Sequence, residues 1–171
     1  MLAYPEPPLA DGDVALRRWE IADIALVEEA SGDVELLPGT TLPREYTASA
    51  GIAFVERQWS RQTSDEGLSL AITVDGAAVG CATLMIRRPR VADLGYWLVE
   101  RARGRGIARR SVAQLVEWAL RQPEVDAVEA FVADDNQPSR RLLEAIHFSE
   151  AGRSHHRVND LELDLLVYRR S

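Results

Sequence analysis

The chain has 171 residues, 46% hydrophobic and 27% charged, with a formal net charge of −7. This is the length of one ordinary domain with enough apolar residues for a core. The acidic balance argues against a general nucleic-acid binder, and no apolar run reaches the roughly 18–20 residues of a membrane helix.

A single domain over residues 1–171 is expected, with 1–13, rich in Pro and acids, as a loosely ordered extension. That start lacks the basic and apolar stretches of a signal peptide, so a cytoplasmic protein is expected. Arginine is used throughout in place of lysine. Together with the many alanines this suggests a bacterial chain from a GC-rich genome.

In chain order, residues 14–17 read as a short strand and 21–30 as a helix. Residues 31–43 hold Gly32, Pro38, Gly39 and Pro43 and read as a loop. A second helix is expected to run to about Trp59, with Pro43 just before it or inside its first turn. Segments 68–74 and 77–86 flank Asp75-Gly76, a strong hairpin signal. Residues 91–99 are the next strand. Apolar positions 108, 112, 115, 116 and 119 lie at the spacing of one helix face within 106–121. Segment 125–132 reads as a strand and 139–146 as a short helix. Segments 148–158 and 161–168 read as two last strands around Asn159-Asp160. The order is α/β with an antiparallel front half. The strands at 91–99 and 125–132, separated by a helix, favour a parallel crossover. Cys81, the only cysteine, sits in an apolar run and reads as a buried small hydrophobe.

Strand 91–99 runs into Arg101, Ala102, Arg103, Gly104, Arg105, Gly106, Ile107 and Ala108, and a helix follows. A helix start has unpaired N–H groups and partial positive charge, and glycines let its backbone approach an anion closely. With Arg109 and Arg110 nearby, the arrangement suits a polyphosphate. A P-loop requires a lysine that the chain lacks, and a dinucleotide fingerprint fails at Arg109.

The pattern R-x-x-G-x-G over Arg101 to Gly106 resembles motif A of the GNAT acetyltransferase superfamily. Leu94-Gly95-Tyr96-Trp97-Leu98 is similar to the I-G-Y-W-L strand of its ribosomal-protein N-terminal (alanine/serine) acetyltransferase branch. Asn136-Gln137-Pro138-Ser139 matches the N-x-x-S of that branch, and residues 142–148 resemble its L-E-K-L-G-F. Leu16-Arg17-Arg18-Trp19 resembles its opening L-R-P-W. The resemblance spans residues 14–168.

The resemblance implies an α/β (α+β) GNAT fold: a mixed, mostly antiparallel sheet splayed between two parallel central strands, with helices on both faces. It implies an acetyl-CoA-dependent N-acetyltransferase working by direct attack of a primary amine, with acetyl-CoA as cosubstrate and no metal. The acceptor is expected to be a protein N-terminal α-amine, or alternatively a small amine; a homodimer is also consistent with the superfamily. The backbone around Trp97, Leu98 and Val99 would meet the pantetheine arm, with a strand amide such as that of Val99 polarising the thioester. The segment Arg103 to Ala108 would cradle the pyrophosphate, Arg101 and Arg105 would add charge, and Asn136 would bond the cofactor arm. Ser139 is the candidate acid, with helix capping as its competing role; the usual tyrosine is missing between Tyr96 and Tyr168. Asp93 is the candidate base, or else a salt-bridged surface charge. Phe131 stands where some relatives carry a glutamate, and His147 replaces the family glycine before Phe148.

His155-His156 lacks a third ligand at metal spacing. Asp33 and Glu35 are either an attraction for a cationic amine or surface charge, and the acceptor is expected between segments 31–43 and 153–160. Two other readings compete: a non-catalytic CoA-binding module, and an RNA-associated protein using the Arg-rich segment.

Overall fold

The computed structural model describes residues 2–158 and 161–171, and the side chains of all these except 157, 158 and 161. The Asn159-Asp160 turn expected from the sequence lies outside the described residues.

One eight-stranded sheet runs in the order β1-β2-β3-β4-β5-β6-β8-β7. The first strands, β1 (Leu9–Asp11) and β2 (Val14–Arg17), lead to helices α1 (Ile24–Ser31) and α2 (Ala48–Thr63). Then come β3 (Gly67–Val74), β4 (Ala77–Arg88) and β5 (Val91–Leu98). Helix α3 (Ile107–Ala119) crosses to β6 (Ala127–Val132), and α4 (Gln137–Ala145) precedes β7 (Ser149–Val158) and β8 (Leu161–Arg170). Neighbouring strands are antiparallel except for β5 and β6, which form the expected parallel crossover.

Local chemistry sets the element ends. Asp75 and Gly76 have φ +49° and +82°, the two positive values a tight type I′ hairpin demands. Helix α2 starts at Ala48, several residues after Pro43 and later than expected, because the Thr47 side chain accepts from the Ala50 N–H at 3.1 Å and caps it there. The segment expected to be a loose extension contributes β1, whose Leu9–Asp11 pair with Val14–Leu16, and Leu2 is buried. Helix α4 ends in a left-handed turn at His147 (φ +68°). There the His147 N–H donates to the Glu144 carbonyl and the Phe148 N–H to the Leu143 carbonyl. These are the two bonds of a Schellman cap, so the turn that relatives make with glycine persists with a histidine in it.

Side chains alternate between the faces of a strand. Cys81, Thr83 and Met85 of β4 stand opposite Trp97, Gly95 and Asp93 of β5. This is the face beneath α2, whose Gln58 accepts from the Ser69 hydroxyl of β3, opposite Thr83. The other face carries Leu84 and Leu94 and lies under α3, which packs Val112, Leu115 and Val116 into the core. Each such buried aliphatic side chain contributes about 1.5–3 kcal/mol.

The feature that creates a site is the short pairing of the two parallel strands. β5 and β6 are in register only from Val91↔Ala127 to Leu94↔Ala130, although β5 continues to Leu98 and β6 to Val132. Beyond Leu94 the sheet parts into a V.

Candidate active site

Backbone groups along a strand alternate direction as its side chains do. The Val99 N–H donates to the Val79 carbonyl at 3.1 Å, so odd-numbered positions at the end of β5 face β4. The expected use of the Val99 amide to polarise a thioester is therefore corrected: that donor is spent on β4. The N–H groups of Tyr96 and Leu98 face the V instead, past the last β5–β6 pair. The Leu98 carbonyl on that side accepts from Arg103 Nε at 3.0 Å.

The Arg/Gly loop follows directly. The Arg103 N–H closes a turn on the Glu100 carbonyl, so the amide of Arg103 also drops out of the expected cradle. Gly104 and Gly106 both adopt φ +72°, and an added Cβ at either would meet no atom within 4 Å. The loop thus presents its backbone to open space in a conformation suited to glycine. Gly106 is the N-cap of α3 with no side chain capping it, and the first intrahelical bond runs from the Arg110 N–H to the Gly106 carbonyl. The amides of Ile107 and Ala108 at this helix start are among those a helix cannot pair internally. The Ile107 side chain itself is buried in the core.

The arginines divide into two groups. Arg101 forms a forked pair with Glu29, with contacts of 2.8 and 2.9 Å. Arg103 is held by Asp33 and Glu35, and Arg110 by Asp13. Arg105 and Arg109 are exposed and make no ion pair among the described residues. Asp33 and Glu35, weighed as an attraction for a cationic amine, are thus engaged by Arg103.

Ser139 does not cap its helix. Asn136 does so, its Oδ1 accepting from the Ser139 N–H at 3.2 Å. The Ser139 hydroxyl is free to meet the Tyr96 hydroxyl, 2.7 Å away across the V. Burial pushes the Tyr96 phenol above its ordinary range, against a smaller opposing effect of the Ser139 hydrogen bond. A tyrosine is therefore present at Ser139, supplied by β5 rather than by the region downstream.

Asp93 and Glu129 are register partners at the foot of the V. Arg88 bridges them, with contacts of 2.7 and 2.8 Å, and Arg169 approaches Glu129 from the other side at 2.5 Å. Burial alone would raise Glu129, but the two guanidiniums outweigh it and hold the carboxyl below its ordinary range. Glu129 escaped the sequence reading, although a glutamate inside the apolar run Ala127–Val132 was a visible signal. Phe131, on the same face, lies under the Arg88 guanidinium and edge-on to His156, 4.4 Å between centroids. His155 is well exposed.

A cavity of about 200 Å³ opens beside β5, between α2, β4 and residues 39–41. Its walls include Phe54, Gln58, Thr83, Met85 and the β5 residues Gly95, Tyr96 and Trp97. Part of the expected acceptor segment 31–43 thus lines it. The other expected segment, 153–160, runs into residues that the structure does not describe. Cys81 is buried in the floor, and burial pushes its thiol up to about 11, which leaves it protonated and inert near neutral pH. The Trp97 ring lies 6.4 Å from that of Trp19, and Trp59 Nε1 donates to the Trp19 carbonyl, so these rings pack rather than stand free.

The family profile of the acetyltransferase (GNAT) domain matches residues 13–149. A protein of Bacillus subtilis (strain 168), YdaF, named as a candidate ribosomal N-acetyltransferase, is 30% identical over 115 residues, 64% of this chain and 63% of that one. The L-amino acid N-acetyltransferase AaaT of Escherichia coli (strain K12) is 28% identical over 57% of this chain and 64% of its own. The chain thus spans a little under two thirds of the length of these curated relatives. Among solved structures, the ribosomal L7/L12 α-N-protein acetyltransferase RimL in complex with coenzyme A superposes with a TM-score of 0.81. It is 19% identical, with 95% of this chain and 96% of that one covered.

Proposed function

The chain belongs to the GNAT acetyltransferase family, and from that premise we propose that it moves the acetyl group of acetyl-CoA onto a primary amine, the N-terminal α-amine of a protein being the acceptor class. The observation that carries this reading is the parting of β5 from β6 after Leu94, immediately before the Gly104–Gly106 turn and the start of α3. A thioester arm extended along the open edge of β5 would take the unpaired N–H groups there. Its pyrophosphate would then lie over the Gly104 to Ala108 backbone, where the helix start favours an anion. Arg105 and Arg109 are the cations left to meet its phosphates. The Asn136 Nδ2 group remains able to donate to the arm while its Oδ1 caps α4.

The amine nitrogen attacks the thioester carbon, and the carbon–sulfur bond breaks from the tetrahedral intermediate. The Leu98 N–H is the donor placed to hold the oxyanion. Asp93 takes the amine proton, directly or through a water. Arg88, 2.7 Å from its carboxylate, fixes where that carboxylate stands. Ser139 protonates the departing thiolate, and Tyr96, donating to Ser139, replaces that proton.

Acetyl-CoA binding by calorimetry, with wild type and a Gly104→Asp, Gly106→Asp double variant, tests the reading. Micromolar binding in the wild type, lost in a variant with an unchanged circular dichroism spectrum, is expected. A wild type that does not bind acetyl-CoA would overturn it. A small amine as acceptor is the second reading, and the cavity volume of about 200 Å³ is compatible with both readings. That is below the roughly 300–1,000 Å³ of pockets for drug-sized ligands and suits a single amino acid or the first residue of a chain.

A further inference from the structure

We propose that the acceptor is a primary amine that also carries a carboxylate, and that Arg61 and Arg87 receive that carboxylate in the cavity between α2, β4 and β5. The proposal deepens the acetyl-transfer reading and rests on it for the identity of the amine.

The cavity lining combines two chemically distinct sets of residues. One set is Gly95, Tyr96 and Trp97, where β5 has left β6. The other set is Arg61 of α2 and Arg87 of β4. Among the described residues no aspartate or glutamate lines the cavity. Elsewhere Arg88, Arg101, Arg103, Arg110, Arg169 and Arg170 each have a carboxylate partner, whereas Arg105 and Arg109, at the start of α3, do not. Arg87 makes no ion pair among the described residues.

The positive charge here also acts on its surroundings. Arg57, one turn before Arg61, points at the Thr41 carbonyl at 2.7 Å. Burial, and then the charge of Arg61, holds Arg57 below the ordinary guanidinium range. Among the described residues Arg61 itself reaches the Thr41 hydroxyl alone, at 3.4 Å. A third donor comes from Gln58, which is 1% exposed and lines the same cavity. One of its amide hydrogens goes to the Phe54 carbonyl at 2.9 Å, and its oxygen accepts from Ser69. An amide nitrogen has two hydrogens, and the second has no partner among the described residues. Two guanidiniums and an amide N–H lining one cavity with no carboxylate among its described walls form a site for an anion, and a carboxylate matches the guanidinium fork.

The same charges serve the chemistry. Cations near an amine disfavour its protonated form. An acceptor held at Arg61 and Arg87 therefore presents a larger fraction of the neutral amine that must attack. The carboxylate has two chemical sources: the α-carboxylate of a free amino acid, or an acidic side chain near the N-terminus of a peptide.

The test measures binding and turnover separately on matched pairs. The pairs are L-leucine against L-leucinamide, and alanyl-aspartyl amide against alanyl-asparaginyl amide. Each is titrated by calorimetry into protein saturated with coenzyme A, and each is assayed for acetylation with acetyl-CoA. The carboxylate member of one pair is expected to bind ~10–100-fold more tightly than its amide, the range for charge-assisted hydrogen bonds; the pair that shows it identifies the source. In Arg87→Gln, and separately in Arg61→Gln, that ratio is expected to fall towards one with coenzyme A affinity retained. Equal binding of acid and amide in both pairs, or a preference that survives both substitutions, would overturn the proposal. Arginine-dependent carboxylate binding without acetylation of any compound would support the site and count instead against the acetyl-transfer reading.

Discussion

Tyr96 and Ser139 share one hydrogen bond across the V, and its direction decides which hydroxyl proton faces the cleft. A buried phenol is the stronger donor of the two. With Tyr96 donating, the Ser139 proton is left for the leaving sulfur. Tyr96→Phe is expected to lower kcat by about 10-fold and Ser139→Ala by about 100-fold, the lower part of the range for general acid catalysis because a thiolate needs little help. The double variant is expected to match Ser139→Ala alone, since residues acting as a unit are not additive. Acetyl-CoA affinity should not move in any of them. Wild-type kcat in both single variants would show that the pair only packs the cleft. The sequence pointed to Ser139 but not to its partner, because the two lie 43 positions apart and meet only through the fold. The commitment of the Val99 amide to β4 was hidden for the same reason: strand register decides it, not residue type. Glu129 was readable in principle, as a charge inside an apolar strand.

At the level of elements, the end of α4 offers the cleanest test of local energetics. His147 holds φ +68° in the Schellman turn, a conformation that costs an L-residue roughly 1–2 kcal/mol. Glycine avoids that strain but loses about 0.5–1 kcal/mol of its own through greater freedom in the unfolded chain. His147→Gly is therefore expected to stabilise the protein by about 0.5–1 kcal/mol, read as a higher urea midpoint at unchanged slope. A lower midpoint would mean that the imidazole makes contacts worth more than the strain. Most elements were legible because their signals are local: the Asp75-Gly76 turn, the apolar face of α3, and the Pro and Ser around the start of α4. β1 was not, because three residues are too few to show an alternation. The start of α2 was misplaced because a proline advertises a helix more loudly than the Thr47 cap that sets it.

For the whole molecule, the βαβ crossover was legible from a helix standing between two strands. The extent of the parallel pairing was not, because it is set by sheet twist and packing rather than by any one residue. That extent has a dynamic consequence. Among the described residues the ladder joining β1–β5 to the β6–β8–β7 unit spans four paired positions, with Arg88–Glu129 and Arg90–Asp126 as charged ties and Tyr96–Ser139 as a hydrogen bond across the seam. Regions joined by few bonds can open as separate cooperative units. Amides of β6 and β8 are accordingly expected to exchange with solvent deuterium sooner than those of β3 and β4. Saturating acetyl-CoA should slow the exchange of β6 and β8 most, because a ligand spanning both halves adds its binding free energy to their association. Uniform exchange across the sheet, unchanged by acetyl-CoA, would show that the halves melt as one. On this view the bound coenzyme serves as a removable ninth strand, and the chain becomes a single cooperative sheet while it is loaded.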